Sequence, residues 1–231
     1  MVKMTKFYLV GGYVRDKLLG VESNDKDYSV EAESYDVMRQ AILDRGGEIF
    51  LENPEYFTIR ANVPNMGACD YVLCRKDGAY TDGRRPDEVE HGTLHDDLAR
   101  RDFTVNAMAF DEYANLIDPF DGKKDLENKV LRTVGDAEDR FSEDALRMLR
   151  AIRFSITKGL KMDRKILCCL MDPYFVNMLK CVSVERVRDE LFKCFKYDTI
   201  TTMQMLTKYH EVGEAVFENT GLWLKPTLEK R

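Results

Sequence analysis

The 231-residue sequence has no apolar run close to the ~20 residues that a membrane helix needs. A helical membrane protein is therefore not expected. Met1 to Tyr8 leads straight into Leu9-Val10-Gly11-Gly12, so no signal or transit peptide is expected. Six cysteines (Cys69, Cys74, Cys168, Cys169, Cys181, Cys194) show neither CxxC nor Cys/His zinc spacing. Reduced thiols and a cytoplasmic location are expected. Histidine is scarce, and His95-Asp96 has no second histidine nearby, against a metal phosphohydrolase site. The Walker and dinucleotide fingerprints are both absent, which disfavours those phosphate-binding folds. Basic charge is also short: the net charge of −6 argues at first against an RNA partner.

What is present changes that picture. A hydrophobic fraction of 44% with 10% aromatics predicts a packed core, and the length suits one large domain or two small ones. Between Arg140 and Lys165 stand eight Lys/Arg against three acidic residues. A local basic stripe of this kind can grip phosphates even in an acidic chain. Lys6–Val10, Asp27–Val30, Tyr56–Val63 and Cys69–Cys74 read as strands, with Asn53-Pro54 and Pro64-Asn65 as turns. Tyr13–Leu19 reads as a short helix stopped by Gly20. From Ser142, a plausible N-cap, helical periodicity runs to the end. The class expected is α+β, a small mixed sheet flanked by helices followed by an all-α tail, with a boundary near residue 136.

Five segments carry chemistry. In Leu9-Val10-Gly11-Gly12-Tyr13-Val14-Arg15-Asp16 a strand delivers a glycine pair to a helix start, where backbone can approach a phosphate; an ordinary strand–turn–helix is the plainer alternative. Asp25-Lys26-Asp27 would set two carboxylates on one face of a strand, roughly 6–7 Å apart, able to converge on Mg²⁺. Alone, that spacing is more often a solvated loop. Asp70 opens an apolar stretch, either as a surface cap or as a third carboxylate. Arg100 and Arg101 could meet triphosphate or ribose, or pair with Asp96, Asp97 and Asp102. In Glu143 to Arg153, the arginines Arg147, Arg150 and Arg153 share a sector of roughly 120°, apart from the apolar Ala145, Met148, Leu149 and Ile152. A solvated basic face is the alternative, although arginine suits planar bidentate recognition better than lysine.

Taken together these segments resemble the class II tRNA nucleotidyltransferase and poly(A) polymerase family. LVGGYVRDKLLG looks like its opening turn, NDKDYSV its metal motif, RRDFTVNAMA its ribose-recognition motif, DPFDGKKDLENKVLRTV its hinge and EDALRMLRAIRF its nucleotide-templating helix. YTDGRRPDEVE resembles the stretch near its specificity loop, and VSVERVRDELFKCF the opening of its body domain. The resemblance implies a nucleotidyltransferase head (residues 1–135), a helical neck that recognises the base (136–180) and a shortened helical body that binds RNA (181–231). It implies Mg²⁺ on Asp25 and Asp27, Asp70 as third carboxylate, and Gly12 and Arg15 at the triphosphate. Arg100 would meet the sugar-phosphate, and Asp144 with Arg147 would read the base, with Arg150 and Arg153 beside them. The expected reaction joins CMP and AMP from CTP and ATP to the 3′ end of tRNA, as CCA addition or repair. Addition of A alone, poly(A) tailing and a non-catalytic nucleotide- or RNA-binding module are the competing expectations.

Overall fold

The computed structural model describes residues 5–23, 25–80 and 86–218. Two compact units are present, one made of the described residues up to Ala79 with Pro86–Glu127, the other of Tyr80 with the described residues from Asn128 onward.

The first unit runs β1 (Lys6–Val10), α1 (Gly12–Leu18), β2 (Asp27–Glu31), α2 (Tyr35–Asp44), β3 (Glu48–Asn53), β4 (Thr58–Val63), β5 (Gly67–Leu73), β6 (Arg75–Asp77), β7 (Val89–His91), α3 (Leu94–Ala99), β8 (Ala109–Phe110), β9 (Leu116–Ile117) and α4 (Gly122–Glu127). Seven strands form one sheet in the order β3-β4-β5-β2-β1-β8-β9. Only β2 and β5 pair in parallel; their neighbours are antiparallel. The sheet is therefore mixed, as expected, and wider than the strands legible in the sequence. Its strands alternate. Phe7, Tyr28, Val30, Ile59, Ala61, Tyr71 and Leu73 point to one face and pack with Met38 and Ile42 of α2. Tyr28 and Tyr71 are register partners and stack at 5.2 Å, while Phe7 meets Tyr71 edge-on at 6.0 Å. Such aromatic pairs contribute ~0.5–1.5 kcal/mol beyond their burial, and here they hold β2 against β5. The residues between them in sequence necessarily face the other side. Asp27 and Asp70 are among those.

The expectation that Asp25 and Asp27 share a strand is corrected. β2 starts at Asp27, which pairs with Val10, the last residue of β1. Beyond that point Gly12 has already entered α1, so Asp25 sits in the loop before the strand.

The second unit runs β10 (Val130–Leu131), α5 (Ala137–Glu143), α6 (Leu146–Lys158), β11 (Lys161–Met162), α7 (Arg164–Leu170), α8 (Pro173–Met178), α9 (Val184–Tyr197), α10 (Thr199–Lys208) and α11 (His210–Glu218). Its described residues are helical apart from the short parallel pair β10–β11. Ser142 is not a cap, contrary to expectation. Asp136 caps α5 by accepting from the amide of Glu138, and Ser142 lies in that helix's last turn. The chain breaks at Asp144 (φ −154°, ψ 102°), and the Asp144 carboxylate then accepts from the amide of Leu146, 3.1 Å away, at the start of α6. α6 buries Met148, Leu149, Ala151 and Ile152 and packs on α9.

Candidate active site

Register brings the acids together. Across the sheet the directly paired residues are Leu51, Arg60, Asp70, Asp27 and Val10, one from each of β3, β4, β5, β2 and β1. Directly paired residues share a face, so Asp27 and Asp70 are side-by-side neighbours on the face away from α2. Of the two alternatives for Asp70, a mid-strand position beside Asp27 is what the fold provides. They line an open cavity of about 430 Å³ together with Leu51, Arg60 and Arg101.

The site is crowded with negative charge. Burial, then the charge of Asp25, pushes the Asp27 carboxyl up to about 6, with Asp70 adding to the rise and Arg101 and Arg60 opposing it. Carboxylates in this state are hard oxygen donors with an electrostatic reason to take up a divalent cation. The residues fit such an ion by their chemistry. They are not closed into a cage: among the described residues no group of three His, Cys, Asp or Glu has the geometry of a metal site.

Arg101 is one of two arginines at this site, and its setting explains two sequence features. Asp97 of α3 is fully buried. Its Oδ2 accepts from Ser29 Oγ (2.6 Å) and Arg101 Nη2 (3.3 Å), and its Oδ1 from Arg100 Nη2 (2.7 Å). Burial pushes the Asp97 carboxyl up, but Arg100 and Arg101, with the hydrogen bonds from Ser29 and Arg100, leave it below the usual carboxylate range. Gly11 has φ +71°, and a Cβ there would stand 2.9 Å from Arg101 Nη1. The turn thus needs glycine both for its backbone and for the guanidinium lying on it. The Nε of Arg101 is buried and makes no hydrogen bond among the described residues.

The other sequence candidates are engaged as follows. Arg100 pairs with Asp97 and Asp77 rather than joining the carboxylates. Arg15 is 6% exposed. It donates to Asp16 (2.9 Å) and Asn106 (2.6 Å), and Asn106 donates to Asp102 (3.0 Å). This network ties α1 to the 3-10 turn Thr104–Asn106. Gly12 has room, its nearest neighbour to a Cβ being Arg15 at 3.4 Å. In the second unit, Asp144 accepts from Arg186 of α9 (2.6 Å), while Arg147 donates to Glu143 (2.5 Å) and to the carbonyl of Arg140 (3.0 Å). Arg153 (2.5 Å) and Arg150 (3.9 Å) both meet the buried Glu190 of α9. Of the expected specificity segment Tyr80–Glu90, residues 81–85 lie outside the described residues. Arg101, Asp97, Ser29, Arg60 and Arg186 were not singled out as site residues by sequence reasoning, apart from the open reading of Arg101; their signal is spatial.

A mixed sheet carrying adjacent aspartates at the end of a strand–glycine–helix turn defines a nucleotidyltransferase-type head. The family model described as "Poly A polymerase head domain" matches residues 7–132, more than half of the chain, and the chain belongs to that family. It is 40% identical over 194 residues to a CCA-adding enzyme of Oceanobacillus iheyensis, covering 82% of this chain and 46% of that protein. A CCA-adding enzyme of Streptococcus mutans is 39% identical over 180 residues, covering 78% and 43%. Among solved structures, the Bacillus stearothermophilus CCA-adding enzyme in complex with CTP superposes with a TM-score of 0.80 at 30% identity, covering 94% of this chain and 51% of that one. The Thermotoga maritima CCA-adding enzyme complexed with tRNA gives a TM-score of 0.74 at 26% identity, covering 96% and 50%. The chain thus spans about half the length of the relatives it matches. Nucleotidyltransferases of this family generally use a divalent metal. Among the described residues no helix is long and apolar enough to cross a membrane.

Proposed function

We propose that the chain is a template-independent RNA nucleotidyltransferase that adds CMP and AMP, from CTP and ATP, to the 3′ end of tRNA in the cytoplasm. The observation that carries this reading is the pairing of Asp27 with Asp70, with Asp25 close enough to raise Asp27, in a chain similar over about four-fifths of its length to CCA-adding enzymes. The RNA 3′-hydroxyl attacks the α-phosphorus. Its oxygen–phosphorus bond forms, its proton is released, and the bond to pyrophosphate breaks. Asp25, Asp27 and Asp70 would hold Mg²⁺, which when bound supplies charge neutralisation at the attacking and leaving oxygens. Arg101, fixed by Asp97 and Ser29, contributes a preorganised positive charge for the phosphates; Gly12 gives them room.

Base choice has a physical rationale in the second unit. Cytosine and adenine each present an exocyclic amine donor beside a ring-nitrogen acceptor. A carboxylate (Asp144) accepts from the first and a guanidinium (Arg147) donates to the second. Uracil and guanine reverse the pattern and would leave charge unpaired. Asp144 already accepts from a planar N–H donor, that of Arg186, which a base amine would replace. Arg150 and Arg153 act one step back, holding α6 on α9 through Glu190.

The test is incubation with tRNAs ending before C, after CC and after CCA, with labelled CTP or ATP. Incorporation of C and A to a CCA end is expected. No CTP incorporation on any of them rejects CCA addition, and long A tracts on unstructured RNA would establish tailing instead.

A further inference from the structure

The row of paired residues does not end at the carboxylates. Beyond Asp70 it continues to Arg60 on β4 and Leu51 on β3, the edge of the sheet. Both side chains stand out from the surface. Leu51 is 65% exposed, and the Arg60 side chain is 56% exposed, with Nε 3.8 Å from the Asp70 carboxylate. An exposed pair of this length contributes ~1 kcal/mol or less to stability, so the fold itself has little need of this arginine. Both residues nonetheless line the same cavity as Asp27 and Asp70.

The two flanks of the acid pair differ in kind. On the β1 side Arg101 is locked by a buried carboxylate, a serine and a glycine turn. That is a rigid cation suited to one fixed polyphosphate pose. On the β4 side Arg60 is exposed and held only by its pairing with Asp70 among the described residues, and it stands next to an apolar residue on an open sheet edge. That combination suits a flexible strand arriving from solvent, with a phosphate for the guanidinium and a sugar or base for the leucine. Displacement at phosphorus requires the attacking and leaving oxygens to lie roughly in line on opposite sides. If pyrophosphate departs on the Arg101 side, the attacking hydroxyl comes from the Arg60 side.

We infer, on the strength of the nucleotidyl-transfer reading above, that Arg60 and Leu51 form the subsite for the terminal nucleotide of the acceptor RNA. Arg60 is a positioning residue that binds the phosphate of that nucleotide, and Leu51 is the apolar platform beside it. Neither contacts the incoming nucleotide.

The experiment measures incorporation by wild type, R60A, R60K and L51A, varying RNA and nucleotide separately and repeating the RNA titration across salt concentrations. For R60A the KM for RNA is expected to rise roughly 10-fold, the loss of one charge-assisted contact. The KM for CTP and ATP should stay within about twofold. The slope of log KM for RNA against log salt should fall by about 0.7, one single-strand phosphate contact, and R60K should restore that slope. L51A is expected to raise the KM for RNA several-fold with the salt slope unchanged. A rise confined to the nucleotide KM overturns the assignment, as does an unchanged salt slope in R60A. A wild type that incorporates nothing on any RNA removes the reading beneath it, an outcome distinct from an active wild type with indifferent Arg60 variants.

Discussion

Replacing Asp97 with asparagine tests whether Arg101, the arginine beside the carboxylates, is held by a buried charge. The side chain is fully buried and serves Ser29, Arg100 and Arg101 at once. Removing one partner of a buried ion pair costs ~3–5 kcal/mol. Asparagine keeps the shape and an acceptor for Ser29, and the two arginines are 21% and 19% exposed, so water recovers part of the loss. About 2–3 kcal/mol of destabilisation is expected, or a fall in melting temperature of roughly 5–10 °C. The sign with pH follows from the lowered carboxyl. A depressed folded pKa stabilises above the unfolded value of about 3.9 and loses that stabilisation as pH falls through the folded one. The gap between wild type and D97N should therefore be constant from about pH 5 to 8 and close only in stronger acid. Thermal melts followed by circular dichroism measure it, with hydrogen exchange on β2 amides reporting the first unit. Nucleotide incorporation should fall as well, because Arg101 loses its anchor. A D97N protein that melts within about 1 °C of wild type at pH 7 would refute the claim that this carboxylate organises the arginines.

Gly11→Ala should cost ~1–3 kcal/mol, since φ +71° with ψ −133° belongs to a glycine-only region, and should lower incorporation by displacing Arg101; an alanine variant with wild-type activity and melting would count against both. In metal-free buffer Asp27→Asn should raise the melting temperature at pH 7 and not at pH 4. The folded carboxyl lies at about 6, above its unfolded value, so its stabilisation is full below the unfolded pKa and lost as pH rises through about 6; the same variant should abolish incorporation. Glu190→Gln should destabilise the second unit by about 2–4 kcal/mol, because it leaves Arg150 and Arg153 without their buried partner, a loss that urea titration measures. Asp144→Ala should relax the preference for CTP over UTP more than it raises the KM for triphosphate; an unchanged CTP/UTP ratio would contradict base reading by this carboxylate.

How much of this was legible in the sequence depended on the range of the interaction. β1 was read at its observed residues, Lys6–Val10, because a run of strand-formers meeting two glycines is a local signal. The DxD segment was legible for the same reason, although the start of the strand was not: β1 gives way to α1 just past Val10, the residue paired with Asp27. Which of Arg100 and Arg101 faces the carboxylates lay beyond the sequence. They are adjacent at the end of α3, and only the packing of that helix on β2 sends one to Asp77 and the other toward Asp27. Arg60 gave no signal, being a single arginine on the polar side of an alternating strand. Asp70 depended on a parallel pairing between strands separated by α2, β3 and β4, which no local pattern reports. Ser142 and Asp136 were both chemically able to cap a helix, and the acidic Glu138 and Asp139 of the first turn favour the earlier start.

The single row that carries Leu51, Arg60, Asp70 and Asp27 also determines which sequence changes this site can survive over evolutionary time. Side chains alternate along a strand, so facing is a matter of odd and even. Deleting one residue between Gly67 and Asp70 would turn Asp70 into the aromatic layer now filled by Tyr71 and bring Tyr71 up beside Asp27. Substitutions along these strands can be sampled one at a time, whereas a single-residue insertion or deletion inverts the site and the core together. Length changes in descendants of this chain should therefore collect in the connections between strands, and within β4 and β5 the parity of the spacing should be inherited unchanged.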